Sequence, residues 1–109
     1  MRTARNVELS AGDISDDAME ALAKLPLRRL RIVGTSVTDG GMKSVGQMSQ
    51  LEILYISATH ITDAGLRELA PLKNLKELQI MHRFDPSHIT DEGLMEFRQA
   101  HPDCKVDVK

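Results

Sequence analysis

Apolar residues recur along this chain in two interleaved series. The first is a short alternating phrase: Val7-x-Leu9, Leu30-x-Ile32, Leu54-x-Ile56, Leu78-x-Ile80 and a final Val106-x-Val108. Alternation with a period of two marks strands that bury one face and expose the other. Successive members lie 23, 24, 24 and 28 residues apart. The second series falls between them: Ile14-Ser15-Asp16-Asp17-Ala18-Met19, Val37-Thr38-Asp39-Gly40-Gly41-Met42, Ile61-Thr62-Asp63-Ala64-Gly65-Leu66 and Ile89-Thr90-Asp91-Glu92-Gly93-Leu94. Each opens an apolar stripe at helical spacing: Met19, Leu22, Leu25; Met42, Val45, Met48; Leu66, Leu69, Leu72; Leu94, Phe97, Ala100. Two series that keep step predict one strand–helix unit used about four times.

The helix starts have a mechanical reading. Thr62 is placed to act as N-cap, its hydroxyl accepting from the first turn, and Asp63 follows where the helix dipole favours negative charge. Ile61 and Leu66 stand at hydrophobic-staple positions, as do Ile14/Met19, Val37/Met42 and Ile89/Leu94. Pro26, Pro71 and Pro102 are placed to stop three of the four helices. Gly41, Gly65 and Gly93 share a column where the first helical turn comes close to a neighbouring unit. A single unit buries too little apolar surface to offset its own ordering, so the units must stack.

The unit resembles the leucine-rich repeat, L-x-x-L-x-L-x-x-N/C-x-L, in its roughly 24-residue form. Leu51-x-x-Leu54-x-Ile56-x-x-Thr59-x-Ile61 matches it position for position, as does Leu27 to Val37. Thr35 and Thr59 take the slot that prefers Asn or Cys, and Ser87 takes it in the fourth copy. The Ile-Thr-Asp-x-Gly-Leu phrase further resembles the subclass found in F-box-associated and bacterial repeat proteins. The resemblance implies an α/β fold: a right-handed solenoid of about four repeats with a parallel sheet on its concave face. It also implies one domain over residues 1–109, with units at roughly 5–27, 28–51, 52–75 and 76–109. Cys104 sits in a Pro-x-Cys-x-apolar phrase like those that end related arrays, which would put Lys109 near a true C-terminus.

Composition narrows the function without naming it. With 14 basic and 16 acidic residues the chain lacks the basic excess of a nucleic-acid binder. No apolar run approaches the roughly 20 residues that span a bilayer, and no apolar stretch follows the N-terminal arginines as in a secretory signal. The lone Cys104 has no internal disulfide partner, which fits a reducing, cytoplasmic setting; a piece of a larger protein would look the same. Aromatics are limited to one Tyr and two Phe, so the core must be aliphatic.

The strand register predicts an outward surface. Glu8, Arg31, Tyr55, Gln79 and Asp107 fall in one column. Arg29, Ile53 and Glu77 flank it on one side; Ser10, Val33, Ser57 and Met81 flank it on the other. An apolar centre with a polar, arginine-bearing rim is the usual make-up of a protein-binding patch. The 28-residue spacing marks an insertion over residues 81–88, at one lip of this surface. There Arg83 and Phe84 either join the binding face or, for Phe84, fold back as a lid on the last unit. The expected function is a non-enzymatic module that binds a protein through Arg29, Arg31, Val33, Ile53, Tyr55, Ser57, Glu77, Gln79, Met81, Arg83 and Phe84. The alternatives are an end-to-end homodimer and a substrate-recognition adaptor piece of a larger protein. The end strands carry charges (Arg5 and Glu8; Lys105, Asp107 and Lys109) that oppose edge pairing, but no separate capping helix covers the ends.

Candidate chemistry reduces to packing. His60 and His88 hold equivalent positions near His82, yet they read as polar residues ahead of a helix cap, not as metal ligands. His101-Pro-Asp-Cys104 lacks a second ligand pair, and Cys104 reads as a small apolar residue under the last helix. Gly40-Gly41-Met42-Lys43-Ser44 lacks phosphate-loop spacing and already fits a helix start. Asp13, Asp16, Asp17 and Glu20 read as helix-start charge and a solvated face, without a calcium loop. No nucleophile–base pair stands out, and neither metal nor cofactor is expected.

Overall fold

A computed structural model describes residues 6–9, 15–32, 37–57, 61–81 and 89–108, with residues 6–9 and 57 described by their backbone alone. Strands and helices alternate: β1 (Asn6–Leu9), α1 (Asp16–Leu22), β2 (Arg29–Ile32), α2 (Asp39–Val45), β3 (Ile53–Ser57), α3 (Asp63–Arg67), β4 (Glu77–Met81), α4 (Asp91–Ala100) and β5 (Lys105–Val108). The strands form one sheet in chain order, β1-β2-β3-β4-β5, and every neighbouring pair is parallel. A helix therefore carries the chain from each strand to the next, as parallel pairing requires.

Alternation in the strands decides which face is covered. Leu30, Ile32, Leu54, Ile56, Leu78 and Ile80 are at most 1 % exposed. They join Met19, Met42, Val45, Leu66, Leu94 and Phe97 from the helices in one core. The residues between them in the strands point the other way. All three described staple pairs, Val37/Met42, Ile61/Leu66 and Ile89/Leu94, are buried. Backbone bonds link the strand entries as well: Glu52 N–H donates to the Arg28 carbonyl at 2.8 Å, Lys76 N–H to Glu52 at 2.7 Å and Lys105 N–H to Lys76 at 2.8 Å.

The helix starts follow the predicted capping, with one exception. Thr38, Thr62 and Thr90 accept from the backbone N–H of Gly40, Ala64 and Gly93 at 3.2, 3.1 and 3.0 Å. Ser15, at the start of α1, makes no side-chain cap bond.

A second set of bonds reaches between successive helices. The Asp16 carboxylate accepts from Thr38 N–H at 2.7 Å and from its hydroxyl at 2.6 Å. Asp39 holds Thr62 at 2.8 and 2.5 Å, and Asp63 holds Thr90 at 2.8 and 2.6 Å. Asp16 is thus more than helix-start charge on a solvated face: its carboxylate ties the first helix to the second. The glycine column belongs to the same device. A Cβ on Gly41, Gly65 or Gly93 would run into the carboxylate of Asp16, Asp39 or Asp63 respectively.

Three expectations about the helices need correcting. Pro102 does follow directly on α4 and its C-cap His101, but Pro26 and Pro71 do not set helix ends: α1 and α3 finish at Leu22 and Arg67, four residues earlier. The chain continues there in tight turns, with Leu25 N–H donating to Leu22, Leu69 to Leu66 and Leu72 to Leu69, each at 3.0 Å. Leu25 consequently swings out to 37 % exposure, and Leu22 is only half-buried, α1 having a helix neighbour on one side alone among the described residues. Ala100, at the end of α4, is exposed.

Candidate binding face

The sheet registers Arg31, Tyr55, Gln79 and Asp107 in one row, with Glu8 paired to Arg31. Arg29, Ile53 and Glu77 form the parallel row, and Ser57 pairs with Met81. The sequence places these residues correctly because all five strands share one alternation and one register. The side chains of Arg29, Arg31, Ile53, Tyr55, Glu77, Gln79, Met81 and Asp107 lie on the face opposite the core. Arg29 and Arg31 are exposed, while Ile53, Tyr55, Glu77, Gln79, Met81 and Asp107 are half-buried. The apolar members are therefore less open than the sequence suggests, because neighbouring strands shield their flanks. Val33, Arg83 and Phe84 lie outside the described residues, as do Ser10, Thr35, Thr59, Ser87, His60, His82 and His88.

Charge varies across the strands. On this face β2 carries Arg29 and Arg31, β3 carries Ile53 and Tyr55, and β4 adds Glu77 and Gln79. On β5, Lys105 Nζ lies 4.0 Å from Asp107. Near the strand entries, Lys76 Nζ lies 3.9 Å from Glu52. The face combines a small apolar centre with donors and acceptors on either side.

The helix side carries a groove of about 230 Å³ between α3 and α4, lined by Leu66, Phe97, Ala100 and His101 among others. That is smaller than most ligand pockets, which run about 300–1,000 Å³. Arg67 Nε donates to Glu96 at 2.8 Å across it, and both side chains are exposed. His101 is the residue that sequence reasoning missed. It ends α4, is 6 % exposed and stacks on Phe97 with ring centroids 4.4 Å apart. Among the described residues neither ring nitrogen has a hydrogen-bond partner. Burial, helped by nearby Lys73, pulls its pKa below the usual histidine value. The i, i+4 spacing from Phe97 was the available signal. Cys104 is half-buried against the core, and desolvation, with Glu77 adding to it, pushes its thiol up to about 11. Among the described residues, no three His, Cys, Asp or Glu side chains group to hold a metal ion. No helix among them is long and apolar enough to cross a membrane.

Residues 47–70 match the family model described as Leucine Rich repeat. They run from the turn after α2 through β3 to the turn after α3. That stretch is similar to a leucine-rich repeat. The match covers less than a quarter of the chain, but the strand-then-helix order of those residues recurs between every pair of neighbouring strands. Leucine-rich repeats are in general protein-interaction motifs and typically non-enzymatic. No curated protein matches the chain.

Proposed function

We propose that this chain is a single leucine-rich-repeat domain that binds a protein partner on the sheet face turned away from its helices. The units run at about 5–27, 28–51, 52–75 and 76–109, of the Ile-Thr-Asp-x-Gly-Leu type, wound as a right-handed solenoid with that face concave. The observation that carries this reading is the register itself. It sets Arg31, Tyr55 and Gln79 side by side, with Arg29, Ile53 and Glu77 beside them. Folding needs none of these side chains inside the core.

Tyr55 and Ile53 are the anchors. They are partly desolvated already, so covering them costs little further water loss, and Tyr55 keeps a hydroxyl for a directed bond. Arg29 and Arg31 supply donors for an acidic or carbonyl-rich segment of the partner. The same reading assigns Met81 and, from the sequence alone, Val33, Ser57, Arg83 and Phe84 to the partner-binding set. The partner is a protein, not nucleic acid or membrane, because the net charge of −2 offers no basic field for a polyanion. A cytoplasmic location is part of the same reading.

Affinity capture with wild type, Tyr55→Ala, Phe84→Ala and a helix-side control, Lys43→Glu, tests it. A partner recovered by wild type and the control but lost with Tyr55→Ala supports the face. Equal recovery by Tyr55→Ala and Phe84→Ala overturns it.

A further inference from the structure

The two ends of the strand array differ. At the α4 end, β5 has a strand neighbour on one side only among the described residues. Its inward residues Val106 and Val108 are half-buried, as is Cys104, whereas Leu78 and Ile80 at the equivalent places on β4 are fully buried. Met95, 60 % exposed, faces the same end. It holds the position in α4 that Arg67 holds in α3, and Arg67 reaches from there to Glu96 on the following helix. Apolar surface and an unpaired strand edge thus meet at one end of the molecule.

The α1 end is closed to this surface. Gly41, Gly65 and Gly93 leave room for the carboxylate of the preceding helix, and a Cβ there would collide with it. The matching residue of α1 is Ala18. Its methyl fills the space that a carboxylate from another copy would need. A head-to-tail stack that repeats the internal junction is therefore blocked, and the β5 end is left to meet its own kind.

We propose that two copies of this chain join through their β5 edges, antiparallel, about a two-fold axis perpendicular to the sheet. A two-fold interface must be complementary to itself, and β5 meets that requirement. Centred on Val106, the pairing sets Lys105 opposite the partner's Asp107 and Asp107 opposite the partner's Lys105. Both contacts lie on the outer face, where opposite charges directly across a strand pair stabilise and like charges destabilise. Val106 meets its own counterpart on the core side, and Met95 faces the partner's α4. The charges that discourage edge pairing with a chance strand become paired against this one. The inference is independent of the sheet-face reading, since it uses the edge of the sheet and not its open surface.

Sedimentation equilibrium on wild type, Lys105→Asp and the exchanged double variant Lys105→Asp/Asp107→Lys tests it. Wild type should be a dimer whose dissociation constant rises about tenfold or more in Lys105→Asp, where both charge pairs become repulsive. The double variant restores opposite charges and should recover the wild-type constant. Circular dichroism melts check that each variant folds. A wild type that stays monomeric at high concentration, growth into longer assemblies, or a double variant as weak as Lys105→Asp would each overturn it.

Discussion

The carboxylate of Asp63 occupies the space into which a Cβ at position 93 would project, while its two oxygens hold the N–H and hydroxyl of Thr90. All three nearest neighbours of that hypothetical methyl belong to Asp63. Gly93→Ala should therefore destabilise the protein by about 1–3 kcal/mol through overpacking. In an Asp63→Ala background the same change should become neutral, or stabilise by roughly 0.5–1 kcal/mol through helix propensity. Urea denaturation of the four proteins in this cycle gives the coupling, and strictly additive effects would refute the steric account.

His101 makes stability fall on mild acidification. Its pKa in the folded state is depressed by burial, so below about pH 6.5 the unfolded chain binds a proton that the folded chain resists. Stability from this group is complete above that pH and declines as pH drops toward the lowered folded value. Thermal melts between pH 7.5 and pH 5 should show the decline, and His101→Phe should flatten it. That variant should also raise stability near neutral pH by about 1 kcal/mol, because it removes two buried polar atoms without partners.

Cys104 should be a slow thiol. With its pKa raised to about 11 from 9.0, its thiolate fraction at pH 8 is roughly a hundredfold below that of an unperturbed cysteine. Reaction with a disulfide reagent should be correspondingly slow in native protein and ordinary in urea. Equal rates in the two would contradict the half-buried placement.

Adjacent strand residues should separate folding from binding. Leu54 is fully buried, and Leu54→Ala should cost about 2–5 kcal/mol. Tyr55, its neighbour on the opposite face, should change stability far less when replaced by alanine while lowering partner recovery. Denaturation midpoints of both variants, measured beside capture, check the contrast.

Much of this was legible in the sequence. Alternation in the strand phrases fixes both the buried set, Leu30 to Ile80, and the outward rows containing Arg31, Tyr55 and Gln79, because a period of two leaves one choice of face once the core is known. Caps and staples were legible because they use residues close in sequence. The Asp–Thr bonds were not. Asp63 after Thr62 is already explained by the helix dipole, and its partner Thr90 lies 27 residues away, brought near only by stacking. His101 was hidden for a similar reason: a polar residue at a helix end reads as solvated until the position of Phe97 is known. Leu25 failed the other way, since helical spacing was extended past the point where α1 stops.

The aspartate–threonine bonds have a consequence for how such a chain varies in length. Each helix start offers one socket and one plug of the same kind, so the junctions are interchangeable. Removal of residues 38–61 would bring Thr62 to the carboxylate of Asp16 and Gly65 to the place of Gly41. Duplication of that block would insert a junction identical to its neighbours. Whole units can thus be gained or lost by recombination without a compensating change elsewhere, whereas a break inside a unit would strand an aspartate from its threonine.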